Sequence, residues 1–71
     1  MNEINSPRQE VARQIKQVRK EQGMTQESLA ELVGTKKSNI SRLESGRYNP
    51  SLDFLARVAG GLGKKIQVKV K

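Results

Sequence analysis

The sequence predicts an all-α fold of four to five short helices, followed by a short β-strand at the C-terminus. Apolar residues recur at intervals of three and four along most of the chain, which places them on one face of each helix. Residues that begin or end helices separate these segments. The last seven residues instead alternate between polar and apolar side chains, as the residues of a strand do. We therefore predict a helical domain over residues 1–63 and a strand-forming tail over residues 64–71.

The first helix is predicted to begin at Ser6, because serine is a favourable N-cap and Pro7 suits the first helical position. Gly23 is expected to end this helix in a left-handed conformation. The apolar stripe that faces the core consists of Val11, Ile15 and Val18.

The second helix is predicted between Thr25, a suitable N-cap, and Gly34, a residue that ends helices. A helix this short is unstable alone and must be held by packing. Leu32 lies off the inward stripe and is expected to be partly exposed. The stripe itself consists of Leu29, Ala30 and Val33.

The third helix is predicted between Gly34 and Gly46, and it has only two apolar residues. Ile40 and Leu43 are three positions apart, so they are expected to anchor the helix in the core. The opposite face carries cationic and hydroxyl side chains, which suit binding to a DNA groove. These residues are Lys37, Ser38, Ser41 and Arg42.

A fourth helix is predicted from Leu52 to about Leu62, with Ser51 as its N-cap. Its inward residues are expected to be Leu52, Leu55, Val58, Ala59 and Leu62. Phe54 falls beside this stripe, so it is predicted either to join the core or to contact a second copy of the chain. Gly60 and Gly61 each weaken the last turn by about 1 kcal/mol relative to alanine.

The tail strand has an apolar face formed by Ile66, Val68 and Val70. A single strand must pair with another, and three partners are open: a second copy of the chain, another protein, or residues 2–5. A domain of 71 residues without cysteine has a small core and no disulfide to stabilise it. These considerations favour a homodimer in which the tail takes part.

The formal net charge is +7, from 14 lysine and arginine residues against 7 aspartate and glutamate residues. This balance favours a polyanionic partner. One tyrosine and one phenylalanine are too few for binding single strands by base stacking. There is no apolar run long enough to cross a membrane and no signal peptide, so the sequence predicts a cytoplasmic protein without a membrane partner.

The sequence predicts neither an enzyme nor a cofactor. Histidine and cysteine are absent, the seven carboxylates are scattered, and no nucleophile has a base beside it. Residues 60–64, GGLGK, superficially resemble a phosphate-binding loop. They follow a helix and precede a strand, which is the reverse of the required order, and no serine or threonine follows the lysine.

The second and third helices carry a motif that resembles the Cro/C1-type helix-turn-helix family, also called the Xre family. The resemblance covers about residues 8 to 63 and rests on Gln26, Leu29, Ala30, Gly34, Ile40, Ser41, Arg42, Glu44, Gly46 and the run Asn49-Pro50-Ser51-Leu52. The flanks, including Val18-Arg19 and the tail strand, look most like those of the HipB-type antitoxins. Those proteins dimerise partly through such a strand and bind a kinase-like toxin.

In this family the third helix enters the major groove and its first turns read base edges. The resemblance therefore implies base reading by Lys37, Ser38, Ser41 and Arg42. It implies phosphate contacts from Gln26, Lys36, Asn39, Arg47 and Asn49. It also implies a structural ion pair between Arg19 and Glu44, which would tie the first helix to the third.

One departure from the family pattern concerns the start of the third helix. Lys36 stands where the family usually has serine or threonine, and lysine cannot cap a helix N-terminus. Either Thr35 takes that role, or the N-terminus has no side-chain cap. The position of the first base-reading residue of the third helix differs by one between these two alternatives.

We interpret the chain as a dimeric, sequence-specific repressor that binds a palindromic operator in double-stranded DNA, and as a candidate antitoxin. Two alternatives stay open. One is a stand-alone regulator of the phage type or of the restriction-modification controller type. The other is a protein-interaction module whose tail pairs with the sheet edge of a partner and whose basic face has no specific DNA site.

Overall fold

The computed structural model describes residues 7–46 and 49–65 of the chain. This part of the chain contains four helices and no strand: α1 (Pro7–Glu21), α2 (Gln26–Val33), α3 (Lys37–Ser45) and α4 (Leu52–Gly61). The predicted N-cap Ser6, residues 2–5 and the tail residues Ile66, Val68 and Val70 lie outside the described residues. The longest of the described helices has 15 residues, and none of them could span a membrane.

The ends of the helices follow the residues that the sequence predicts to set them. Thr25 caps α2 by accepting a hydrogen bond from the backbone N–H of Ser28, and the Ser28 hydroxyl accepts one from the backbone N–H of Thr25 in return. Gly34 ends α2 with φ 78° and Gly46 ends α3 with φ 75°, a conformation that side chains with a β-carbon rarely adopt. The tight turn between α2 and α3 therefore depends on Gly34.

The core forms where the four helices meet. Leu29 from α2, Ile40 from α3 and Val58 from α4 are fully buried, and Ile15 contributes from α1. Helix α2 packs against α3 and α4, and α1 packs against α3. The predicted inward residues are confirmed for α2 and α3 and for most of α4. The other buried apolar residues are Ala12, Ala30, Val33, Leu43, Ala59 and Leu62.

One predicted core residue is wrong: Leu52 is 62% exposed. Burial increases along α4, from exposed Leu52 through half-buried Leu55 to fully buried Val58. The first turn of α4 therefore lies at the edge of the core, which leaves Leu52 largely exposed to solvent. The other exposed leucine is Leu32, and its predicted place off the inward stripe is confirmed.

Candidate nucleic-acid interface

The solvent-facing side of α3 is the candidate reading surface. Burial of Ile40 (0% exposed) and Leu43 (2% exposed) fixes the rotation of the helix about its axis. The four predicted readers all lie on the exposed side: Lys37, Ser38, Ser41 and Arg42. They form two pairs at i,i+4 spacing, so a lysine neighbours a serine and a serine neighbours an arginine along the helix surface. We call this surface the α3 face.

The N-terminus of α3 has no side-chain cap. Lys36 occupies the N-cap position with φ −94° and ψ 149°, and its side chain makes no capping hydrogen bond. The Thr35 hydroxyl accepts a hydrogen bond from the Asn39 side-chain amide at 2.9 Å. Of the two alternatives left open by the sequence, the structure therefore favours the uncapped helix. Lys37 is the first helical residue of α3.

A buried carboxylate connects the first three helices. The Arg19 guanidinium donates two hydrogen bonds to Glu44, from Nε to Oε2 at 2.6 Å and from Nη2 to Oε1 at 3.0 Å. The two side chains are 8% and 3% exposed, and the hydrogen bond to Glu44 raises the pKa of Arg19. Arg19 also donates from Nη1 to the Met24 carbonyl oxygen at 2.7 Å. The ion pair implied by the resemblance is thus present, and it holds α1 and the α1–α2 turn to α3.

Gln26, the first residue of α2, joins the same carboxylate. Its side-chain nitrogen Nε2 donates to Glu44 Oε1 at 3.0 Å, and the side chain is half-buried. The sequence singles out Gln26 as a phosphate contact and Glu44 as an ion-pair partner, but it does not predict that they bind each other. A hydrogen bond between residues 18 positions apart has no local signal in the sequence.

The remaining predicted site residues differ in their exposure to solvent. Lys36 and Asn49 are exposed, and Asn39 is half-buried with its amide bonded to Thr35. Arg47 lies outside the described residues. In the described ranges 7–46 and 49–65, no group of acidic residues is arranged to hold a metal ion.

Of the residues predicted at the dimer contact, only Phe54 lies within the described part. Its ring is half-buried and packs against the core, and the Arg57 guanidinium carbon lies 5.5 Å from the ring centroid. Core packing, one of the two predicted alternatives for Phe54, is therefore present.

An apolar groove runs between α1 and α4. It encloses about 240 Å³ and is lined by Val11, Gln14, Ile15, Val18, Ala59, Leu62 and Lys64. Lys64 belongs to the segment from which the chain continues into the predicted tail strand. The groove therefore lies beside the start of that tail.

Comparison with known proteins identifies the family of this fold. The family model HTH_3, described as a helix-turn-helix, matches residues 15–69. An HTH-type transcriptional regulator of Methanothermobacter thermautotrophicus is 51% identical over 51 residues, which cover 72% of this chain and 74% of that protein. The immunity repressor protein of Bacillus phage phi105 is 43% identical over 60 residues, which cover 84% of this chain but 42% of the repressor.

Solved structures give the same result. HipB in the HipB–O1–O2 complex superimposes with a TM-score of 0.79 and 28% identity, covering 99% of this chain and 100% of HipB. HipB in the HipA–HipB–O2–O3 complex gives the same TM-score and identity. The family and its named relatives are transcription regulators rather than enzymes. The family model matches more than half of the residues of this chain. The chain therefore belongs to the HTH_3 helix-turn-helix family of Cro/C1-type transcriptional regulators and carries their DNA-binding domain.

Proposed function

We propose that this regulator is a repressor that binds a specific palindromic site in double-stranded DNA as a homodimer. The observation that carries the proposal is the α3 face, where Lys37, Ser38, Ser41 and Arg42 are exposed opposite the buried anchors. Lysine and arginine are suited to the O6 and N7 atoms of guanine, and serine can donate or accept at a base edge. The net charge of +7 provides attraction to the phosphate backbone.

The phosphate contacts in this proposal surround the α3 face. Lys36 precedes the first helical residue of α3, and Gln26 is held against the far end of α3 through Glu44. Asn39, Arg47 and Asn49 complete the proposed set. Contacts of this kind fix the register of the protein on the duplex, whereas the α3 face selects the sequence.

A binding selection tests the proposal directly. The chain is incubated with a random-sequence duplex library, bound DNA is enriched, and affinity for the enriched site is measured at several salt concentrations. We expect a two-fold symmetric motif whose half-sites lie about one helical turn apart. We also expect log K to fall steeply and linearly with log salt. Binding without any enriched motif would overturn sequence-specific repression and favour the alternative of an interaction module.

The homodimer in this proposal uses the tail strand and Phe54. Ile66, Val68 and Val70 would form the apolar face of a strand that pairs with its copy. Lys64, two residues before Ile66 in the sequence, lines the α1–α4 groove. Deleting residues 65–71 is expected to give a monomer and to weaken binding to the selected site sharply. Sedimentation equilibrium of both chains measures this change. A truncated chain that stays dimeric would exclude this role of the tail.

A second candidate function is that of an antitoxin, which would repress its own operon and also bind a toxin. The similarity to HipB, which extends over nearly the whole of both chains and includes a complex with HipA, favours it over the other regulator types. Co-expression with the product of an adjacent kinase-like gene, followed by affinity purification, tests this function. A neighbouring gene whose product does not co-purify would favour a stand-alone regulator of the phage or restriction-modification controller type.

A further inference from the structure

The hydrogen bond between Gln26 and Glu44 has a chemical consequence for DNA binding. An ionised carboxylate can only accept hydrogen bonds, whereas a glutamine side chain has one donating and one accepting end. Glu44 therefore selects the donating end of Gln26 and leaves Oε1 turned away from the carboxylate. The amide nitrogen has two hydrogens, and Glu44 takes one of them at 3.0 Å. The other is not engaged by any residue in the described ranges.

The guanidinium of Arg19 neutralises the charge of the Glu44 carboxylate, to which the Gln26 amide is bonded. Both of its oxygens accept from Arg19, at 2.6 and 3.0 Å, and the carboxylate is 3% exposed. A buried carboxylate without a cation would repel a phosphate nearby, because low-dielectric surroundings screen charges poorly. With Arg19 paired to it, Glu44 can hold Gln26 without opposing an approaching anion.

We propose that Glu44 is a positioning residue for DNA binding: it orients the Gln26 amide as a hydrogen-bond donor to a DNA phosphate. Because Glu44 belongs to α3, the same bond fixes the distance between this phosphate contact and the α3 face. This inference rests on the proposed function, since it requires Gln26 to meet a phosphate. It assigns to the buried ion pair a role in binding as well as in folding.

A double-mutant cycle tests the inference. The wild-type chain, Gln26→Ala, Glu44→Gln and the double variant are titrated with the duplex enriched by the wild-type chain, and their melting curves are recorded. Loss of a hydrogen bond to a charged phosphate in each half-site predicts that Gln26→Ala weakens affinity by about tenfold or more. Glu44→Gln should weaken it through the same contact, so the double variant should bind no more weakly than the weaker single variant. If the loss of affinity in the double variant equals the product of the losses in the two single variants, the inference is overturned.

Gln22→Ala is the matched control. Gln22 also donates its side-chain amide across the fold, to the Leu62 carbonyl oxygen at 2.8 Å, but it has no bond to Glu44. Its effect on affinity should multiply with that of Glu44→Gln. If Glu44→Gln melts below the assay temperature, Glu44→Asp replaces it in the cycle, since it keeps the charge that pairs with Arg19 but is one methylene shorter.

Ethylation interference gives a readout that a purely structural role would not change. We expect one phosphate in each half-site at which ethylation blocks binding by the wild-type chain but not by Gln26→Ala, and at which Glu44→Gln also loses sensitivity. A Glu44→Gln profile identical to that of the wild-type chain would overturn the inference while leaving the proposed function intact. A wild-type chain that enriches no duplex would overturn the proposed function, and this inference with it.

Discussion

Gly61 of α4 lies against Val33 of α2 so closely that a β-carbon at position 61 would come within 2.6 Å of Val33 Cγ1. Atoms at this distance overlap, and valine has a short, stiff side chain that cannot swing aside. The neighbouring Leu32 side chain lies 3.6 Å from the same point. The absence of a side chain at Gly61 is therefore what allows the ends of α2 and α4 to meet.

We predict that Gly61→Ala destabilises the protein by about 1–3 kcal/mol, because overpacking a core forces its neighbours out of position. Helix propensity alone would give the opposite result, since alanine is favoured over glycine inside a helix by about 1 kcal/mol. Urea denaturation followed by circular dichroism measures the free energy of unfolding. An increase in the free energy of unfolding would contradict this prediction, because it would show that α2 and α4 make room for the added methyl group without losing stability.

Gly60→Ala is the matched control for this substitution. It lies in the same turn of α4, but a β-carbon there would meet nothing within 4 Å. Helix propensity should therefore decide the outcome, and Gly60→Ala should stabilise the protein by up to about 1 kcal/mol. If the two substitutions change the free energy of unfolding in opposite directions, the effect of packing is separated from that of helix propensity.

The difference between Gly60 and Gly61 also shows where the sequence ceases to predict the fold. The sequence predicts that both glycines weaken the end of α4, because propensity depends only on residue type. The clearance at each depends on α2, which is far away in sequence. The wrong prediction for Leu52 has the same origin, since its spacing from Leu55 fits a helical stripe but does not reveal where the neighbouring helices end.

Local signals succeed where the physical cause is local. Thr25 and Gly34 set the ends of α2 through their own backbone geometry, so both ends are predictable. The rotation of α3 is predictable because Ile40 and Leu43 are its only apolar residues. By contrast, the bond from Gln26 to Glu44 depends on the distance between helices, which the sequence pattern does not contain.

The buried ion pair leads to a second prediction. Arg19→Met should destabilise the protein by about 3–5 kcal/mol, because it leaves the Glu44 carboxylate buried without a cation. This is a large part of the stability of a small domain, so we expect the melting temperature of the variant to fall by about 12–40 °C. Thermal denaturation followed by circular dichroism measures the effect, and a melting temperature close to that of the wild-type chain would contradict it.

Arg13→Met is the control for the same change on the surface of α1. Arg13 pairs with Glu10 at 2.6 Å, and this hydrogen bond lowers the pKa of Glu10, but the two side chains are 66% and 39% exposed. Solvent screens such a pair, so its loss should leave the melting temperature almost unchanged. Adding salt should weaken this surface pair more than the buried one.

The missing cap of α3 leads to a third prediction. Lys36→Ser should stabilise the protein by about 0.5–2 kcal/mol, because a serine hydroxyl can accept from the first backbone N–H groups of the helix. The same change removes a proposed phosphate contact. We therefore expect weaker DNA binding, with the slope of log K against log salt reduced by about 0.9 for each subunit, and so by about 1.8 for the dimer.

Lys36→Ala separates these two effects. It removes the charge without supplying a cap, so its salt slope should match that of Lys36→Ser while its stability gains nothing from capping. If both variants kept the wild-type slope, Lys36 would not contact a phosphate, and the stability result would stand by itself.

The last prediction concerns the α3 face. Lys37→Ala should reduce discrimination at one base pair of each half-site, at a cost of about 1–3 kcal/mol per half-site for the preferred sequence. A base contact is lost only on the sequence that offers it, so affinity for unrelated duplexes should change much less. Fluorescence anisotropy against all single-base variants of the site measures both quantities. Lys16→Ala, which removes the same charge from the exposed side of α1, should leave the order of preference unaltered. Equal losses on every sequence would make Lys37 a phosphate contact and leave base reading to Ser38, Ser41 and Arg42.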